Sequence, residues 1–135
     1  MPTPGRWCSS VSARVWRLDR QRVLARLQEW AQRLSEDGNV LAVVLFGSLA
    51  RGDATPASDA DVLIVLADSQ EPFHHRIPRY LPADLGIGVE VFPYTVSEVQ
   101  SSLAEGWGVA RPALAEGIVL FERQGFWREL SHAGA

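Results

Sequence analysis

Two aspartates separated by one residue are the strongest sign of chemistry in this chain. Asp59 and Asp61 stand at the start of an apolar run, residues 62–67, that is typical of a β-strand. Because side chains at positions i and i+2 of a strand lie on the same face, the two carboxylates are expected side by side. Two carboxylates this close both stay ionised only beside a positive charge, and a hard divalent cation is the natural candidate.

A glycine–serine pair precedes these aspartates. Gly47 and Ser48 follow the apolar run Val40–Phe46, and ten residues separate Ser48 from Asp59. Where a buried strand runs into a helical turn, backbone N–H groups are unpaired and favour a phosphate group. Gly47 has no Cβ atom, so its backbone can come close to such a ligand. The pair predicts a phosphate site next to the two carboxylates.

A third acid, Glu90, lies within a later apolar segment between Val89 and Val91. A lone glutamate in such a strand is costly unless it is paired or bound to a metal ion. If the strand of Glu90 lies beside the strand of Asp61, all three carboxylates can reach one metal centre. The alternative is a solvent-facing glutamate on an edge strand.

Size and composition exclude several classes of protein. The length of 135 residues predicts one domain, over residues 18–135, and the Pro, Gly and Ser residues near the start predict a loosely ordered arm over residues 1–17. Its net charge of -3 gives no argument for binding nucleic acid or a membrane. All 13 basic residues are arginines, which excludes Schiff-base chemistry and a P-loop.

The single cysteine, Cys8, excludes an internal disulfide and a cysteine-based zinc site, and no apolar segment resembles a signal peptide or a membrane span. A cytoplasmic protein is expected.

Hydrophobic periodicity predicts a mixed α/β (or α+β) fold, with a β-sheet of about four strands flanked by helices. The three prolines within residues 68–84 predict a loop or at most a broken short helix there. The other predicted elements, in chain order, are a helix over 19–37 capped by Asp19, a strand over 40–46, a turn or short helix over 48–52, a strand over 60–66, a strand over 86–94, a helix opened by a capping box at Thr95–Glu98, a short helix over 112–116, a strand over 118–121 and a helix over 126–130.

The glycine–serine pair, the ten-residue spacing, the Asp-x-Asp pair and the later acid together resemble the nucleotidyltransferase superfamily that includes DNA polymerase β. In particular, the chain resembles the minimal nucleotidyltransferases, small bacterial and archaeal proteins often encoded beside a HEPN-domain partner. The resemblance is close from about Val40 to Phe92 and looser in the flanking helices.

The resemblance implies a role for each residue of the pattern. Gly47 and Ser48 would hold the phosphates of ATP, while Asp59 and Asp61 would bind two Mg²⁺ ions. Glu90 would share the catalytic metal ion and help to deprotonate the attacking hydroxyl. Arg51 has two readings: contact with phosphate, or an ion pair with Asp53 or another nearby acid.

The acceptor of the nucleotide is less clear from the sequence. Only about forty residues follow Glu90, fewer than a separate acceptor-binding domain needs, which favours a protein acceptor. By family analogy, the chain would be the antitoxin of a type VII system that transfers AMP to a tyrosine of a HEPN toxin. Two alternatives stay open: transfer to a small molecule such as an aminoglycoside, and a non-catalytic antitoxin that acts by binding alone. A homo-oligomer or hetero-oligomer is compatible with each.

Overall fold

A computed structural model of the chain describes residues 20–53, 59–83 and 85–133. The predicted arm over residues 1–17 and the predicted helix cap Asp19 lie outside these residues.

Within the described residues, four strands form one mixed sheet in the order β3-β2-β1-β4. The strands are β1 (Val40–Phe46), β2 (Ala60–Leu66), β3 (Val89–Thr95) and β4 (Ile118–Glu122). β1 is antiparallel to both β2 and β4, whereas β2 and β3 are parallel. The two central strands are almost entirely buried, as expected for continuous apolar runs with helices on both sides. The predicted fold class is confirmed.

Helices cover both faces of the sheet. On one face lies α1 (residues 20–34), whose residues Val23, Leu27, Trp30 and Ala31 pack on β1 and β2. On the other face lie α4 (Val96–Glu105), α5 (Ala110–Glu116) and α6 (Phe126–Ala133). Two shorter helices, α2 (Ser48–Arg51) and α3 (Phe73–Tyr80), lie in the connections β1–β2 and β2–β3. None of the described helices combines the length and the apolar character that a membrane crossing requires.

The first helix ends three residues before its predicted end at residue 37. Asp37 accepts a hydrogen bond from the backbone N–H of Asn39 (2.9 Å), a local turn that competes with helix geometry. Arg123 of the β4 segment donates to the carbonyl oxygen of Ser35 (2.7 Å) and to that of Val40 (3.1 Å). The side chain of Asp37 and the distant guanidinium of Arg123 therefore bond the backbone of the turn that ends the helix.

A helix of two turns, α3, forms in the segment where the three prolines predict a loop or a broken helix. Pro78 lies inside it and removes one backbone hydrogen bond. Arg76 and Tyr80, four residues apart, are both buried, so tertiary packing offsets the missing bond. The helix connects the parallel strands β2 and β3, and parallel pairing requires such a crossover.

The buried guanidinium of Arg76 joins three elements. It donates to the carbonyl oxygen of Pro93 in β3 (2.9 Å) and to the carboxylate of Glu98 in α4 (2.5 Å). Glu98 also accepts the backbone N–H of Thr95 (2.8 Å), closing the predicted capping box. Burial raises the pKa of Glu98, but the hydrogen bonds from Arg76 and Thr95 outweigh it and leave the pKa below its usual range. The ion pair therefore stabilises the fold above the ordinary glutamate pKa and is lost as the pH falls through the lowered value.

We expect Arg76→Met to lower the free energy of unfolding by about 3 kcal/mol, because it leaves a half-buried carboxylate without its partner. Urea unfolding between pH 3 and pH 7 measures this change. The difference between wild type and variant should shrink toward the acid end, where Glu98 is protonated. Arg79→Met is the matched control: its ion pair with Glu71 is exposed, and its loss should cost less than about 1 kcal/mol. Equal losses in the two variants would contradict this account.

Candidate active site

The three predicted carboxylates lie at one end of the sheet. Asp61 in β2 and Glu90 in β3 are direct partners in the parallel pairing, so their side chains share one face. Asp59 lies two residues before Asp61, next to the start of the strand. Asp61 is half-buried, whereas Asp59 and Glu90 are exposed. Parallel pairing of β2 and β3 thus places Asp61 and Glu90 side by side, with Asp59 two residues before Asp61.

Gly47 and Asp61 are in close contact. Phe46, the last residue of β1, pairs with Asp61 across the antiparallel ladder, which places Gly47 beside the carboxylate. A Cβ atom added at Gly47 would lie 2.4 Å from Oδ2 of Asp61. The backbone of Gly47 has φ 81° and ψ -162°, a conformation essentially restricted to glycine. The backbone angles therefore favour glycine strongly at this position, and a side chain here would also force the Asp61 carboxylate to move.

Ser48 begins the single-turn helix α2, directly after Gly47. Its carbonyl oxygen accepts the backbone N–H groups of Gly52 (3.0 Å) and Asp53 (3.1 Å), which closes the turn. The first N–H groups of a helix have no partner within the helix. The turn therefore offers backbone donors next to the carboxylates, an arrangement that suits a triphosphate chain between metal ions and protein.

A second glycine, Gly88, lies against the side chain of Asp59, and this contact was not predicted from the sequence. A Cβ atom at Gly88 would lie 2.3 Å from Oδ1 of Asp59. The carbonyl oxygen of Gly88 accepts the backbone N–H of Ala60 (2.9 Å), which extends the β2–β3 pairing by one step. The only signal in the sequence was the pair of glycines, Gly86 and Gly88, just before β3, where the predicted strand began too early.

The electrostatics of the site agree with this crowding. The pKa of Asp61 is raised to about 6, first by burial and then by a hydrogen bond and charge repulsion from Glu90, with a smaller contribution from Asp59. Arg51 acts in the opposite direction but is the weakest of these influences. Burial and the two neighbouring carboxylates both disfavour the charged form of Asp61, so a bound cation would be favoured at this position.

In this structure the side chain of Arg51 forms two ion pairs, so it is not free to bind phosphate. Its guanidinium contacts Asp53 (3.1 Å) and Glu116 (2.8 Å), and these two hydrogen bonds raise its pKa. The ion-pair reading of Arg51 matches this geometry. Since the side chain is about half exposed (47%), it can exchange these partners for an anionic ligand at little cost.

The three carboxylates do not form a complete metal-binding site in this structure. Among the described residues, no three Asp, Glu, His or Cys side chains have an arrangement that would hold a metal ion as they stand. Asp61 and Glu90 are instead cross-strand neighbours, close enough for Glu90 to contribute to the raised pKa of Asp61. The donor set nevertheless fits a hard cation, because it consists of carboxylate oxygens with excess negative charge.

Comparisons with known proteins show which family this chain belongs to. The profile of the family "Nucleotidyltransferase domain" matches residues 27–104, more than half of the chain. A protein of Methanocaldococcus jannaschii named "Putative protein adenylyltransferase" is 36% identical over 84 residues, which cover 62% of this chain and 81% of that relative. The bifunctional uridylyltransferase/uridylyl-removing enzyme of Pseudomonas putida is 35% identical over 82 residues, which cover 60% of this chain but only 9% of that enzyme.

A solved structure described as a toxin–antitoxin with AMP-PNP has the same fold, with a TM-score of 0.55 at 18% identity over 79% of this chain and 82% of that one. Because the matched family segment contains the glycine–serine turn and all three carboxylates, the chain belongs to the nucleotidyltransferase domain family.

Proposed function

We propose that this protein is a Mg²⁺-dependent nucleotidyltransferase that transfers AMP from ATP to a hydroxyl group of a protein acceptor. The observation that carries the proposal is the convergence of Asp59, Asp61 and Glu90 beside the turn at Gly47 and Ser48. Excess negative charge next to free backbone donors is the combination that binds a metal–triphosphate complex.

The choice of AMP and of a protein acceptor is supported by the relatives. The M. jannaschii relative is named as a protein adenylyltransferase, and a structural neighbour is a toxin–antitoxin complex with AMP-PNP. We propose that the acceptor is a tyrosine of a HEPN toxin and that the chain acts as its antitoxin. The Pseudomonas relative, a uridylyltransferase, makes UTP the necessary comparison nucleotide.

In the proposed reaction, the acceptor oxygen attacks the α-phosphorus, the bond to the β-phosphate breaks, and pyrophosphate leaves. Asp59, Asp61 and Glu90 would hold two Mg²⁺ ions, which lower the pKa of an attacking hydroxyl and neutralise the leaving pyrophosphate. Glu90, which is exposed beside Asp61, would accept the proton of the acceptor hydroxyl. The backbone around Gly47 and Ser48 orients the triphosphate, and Arg51 can move from Glu116 to the phosphates.

We expect Asp59→Asn and Asp61→Asn each to lower kcat/KM for AMP transfer by about 1,000-fold, since several kcal/mol of charge stabilisation are lost. Transfer of label from α-³²P-ATP to a purified candidate HEPN acceptor protein measures the rate, with α-³²P-UTP as the comparison. Asp68→Asn, just beyond the other end of β2, is the control and should keep full activity. Full inhibition of the toxin by both site variants would favour a non-catalytic antitoxin, and labelling of an aminoglycoside alone would favour a small-molecule enzyme.

The raised pKa of Asp61 predicts competition between protons and Mg²⁺. Below pH 6 the carboxyl of Asp61 is protonated in the metal-free protein, and Mg²⁺ must displace this proton in order to bind. Mg²⁺ affinity should therefore fall about tenfold for each further pH unit, until the carboxyl is protonated in the Mg²⁺-bound protein as well. Calorimetric titration of Mg²⁺ in the presence of a non-hydrolysable ATP analogue, from pH 5 to pH 8, measures this dependence. A flat affinity over that range would contradict the assigned role.

The carboxyl of Asp61 also affects the stability of the metal-free protein. The pH dependence of its contribution has the opposite sign to that of Glu98. Between its ordinary pKa of 3.8 and its folded value of about 6, Asp61 binds more proton in the folded state than in the unfolded state. The contribution of Asp61 to the free energy of unfolding therefore decreases as the pH rises through this window. Asp61→Asn lacks this pH-dependent contribution. The free energy of unfolding of the variant minus that of the wild type should therefore increase from pH 4 to pH 6.

Gly47→Ala tests the contact between the phosphate turn and the metal-binding acid. The added Cβ atom would displace the carboxylate of Asp61, and the backbone would be strained by about 1–3 kcal/mol. We expect kcat/KM to fall about 100-fold because the reacting groups are misplaced. Gly38→Ala is the matched control, since a Cβ atom there meets nothing within 4 Å. Comparable activity of the two variants would show that the contact does not matter.

A further inference from the structure

An apolar groove runs along the outer edge of the sheet and reaches the candidate site. Its volume is about 230 Å³. One wall is formed by Phe73, Ile77 and Leu81, which repeat every four residues along and just beyond α3, and the other by residues 89–92 of β3. Glu90, one of the three carboxylates, therefore belongs both to the candidate active site and to this groove.

The groove faces the backbone of β3 rather than one of its faces. Successive side chains of a strand point to opposite faces, so a cavity lined by four consecutive residues must face the strand's edge. β3 is the last strand of the sheet on this side. The carbonyl of Gly88 points toward β2, where it bonds Ala60, and the alternation therefore directs the backbone groups of Val89 and Val91 outward.

The outward N–H and C=O groups of Val89 and Val91 form no hydrogen bond with the part of the chain that the structure describes. The next outward residue, Pro93, has no N–H group, and its carbonyl oxygen is occupied by Arg76 (2.9 Å). Proline at an outward position is what an edge strand tolerates. The free edge is therefore short: it begins at Val89 and ends before Pro93.

The sheet register shows where this free edge lies relative to Asp61 and Glu90. Phe46, Asp61 and Glu90 form one row across β1, β2 and β3. A strand added beside β3 would continue this row, and the residue next to Glu90 would lie on the same face, with Cβ atoms about 5 Å apart. A hydroxyl-bearing residue at that position would meet Glu90 and Asp61 directly.

The neighbours of that residue would point to the opposite face. There they would meet Ile77 and Val91, which belong to the apolar cluster on the α1 side of the sheet. The segment that fits is an extended polypeptide with a hydroxyl residue between apolar residues. A small molecule would leave the backbone groups of Val89 and Val91 unused.

We propose that the acceptor protein binds as an added strand along Val89–Val91, with its reactive hydroxyl residue beside Glu90. Strand addition at a free edge is a common mode of peptide recognition, in which backbone hydrogen bonds supply affinity and side-chain pockets supply specificity. This inference rests on the proposed function.

The test uses end-blocked heptapeptides of valine with a central Tyr, Ser or Thr, together with α-³²P-ATP and Mg²⁺. Leu81→Glu places a charge in the groove at an exposed position (48%), and we expect kcat/KM for the best peptide to fall at least tenfold with unchanged ATP affinity. Ile118→Glu is the matched control, because Ile118 is also an exposed aliphatic residue (36%) but lies on β4 at the opposite edge of the sheet.

A scan of single backbone N-methyl groups along the best peptide gives a second readout. Strand addition predicts loss of transfer at every second position, since alternate N–H groups face Val89 and Val91. Equal activity of Leu81→Glu and Ile118→Glu, a scan without alternation, or labelling of a folded acceptor but of no peptide would each overturn edge binding. If wild-type protein transfers AMP to neither peptides nor any folded acceptor, the proposed function itself fails, so the two failures are distinguishable.

Discussion

Repulsion among three carboxylates is the constraint on which the rest of the structure depends. Asp61 and Glu90 are direct neighbours across β2 and β3, and Asp59 is close enough to add to the raised pKa of Asp61. Such a cluster opposes folding whenever its charges are not neutralised. It is tolerated because the strands that carry it are buried on both sides over most of their length, so the hydrophobic core fixes the positions of the charges.

The scaffold and the chemistry are separated along the strands. At the end of the sheet away from the carboxylates, polar contacts connect elements: Arg76 joins α3, β3 and α4, and Arg123 joins β4 to the turn after α1. At the carboxylate end, Gly47 lies against Asp61 and Gly88 lies against Asp59, so a Cβ atom at either glycine would crowd the acid. Stability and ligand binding therefore rest largely on different residues, which is why variants at Arg76 and Asp61 are expected to differ in both pH dependence and activity.

Much of this could be predicted from the sequence, for identifiable reasons. The strands β1 and β2 were predicted with their observed bounds because continuous apolar runs are strong signals, and the capping box at Thr95 was read from two residue types at a fixed spacing. The helix α3 could not be predicted, since its stability depends on burial of Arg76 and Tyr80 rather than on local propensity. Two contacts join residues that are far apart in the sequence, so no local pattern predicts them. They are the contact of Gly88 with Asp59 and the ion pair of Arg51 with Glu116. The predicted arm over residues 1–17 falls outside the described residues and stays a prediction.

The close contact at Gly47 has an evolutionary consequence. Every other genetically encoded residue carries a Cβ atom, and at this position that atom would occupy space held by the Asp61 carboxylate. No missense change of this codon can thus be neutral for a lineage that needs the acid in place. Mutational drift in this protein should spare this position even where the surrounding turn diverges, and a homologue that has lost this glycine should have lost selection on the aspartate too.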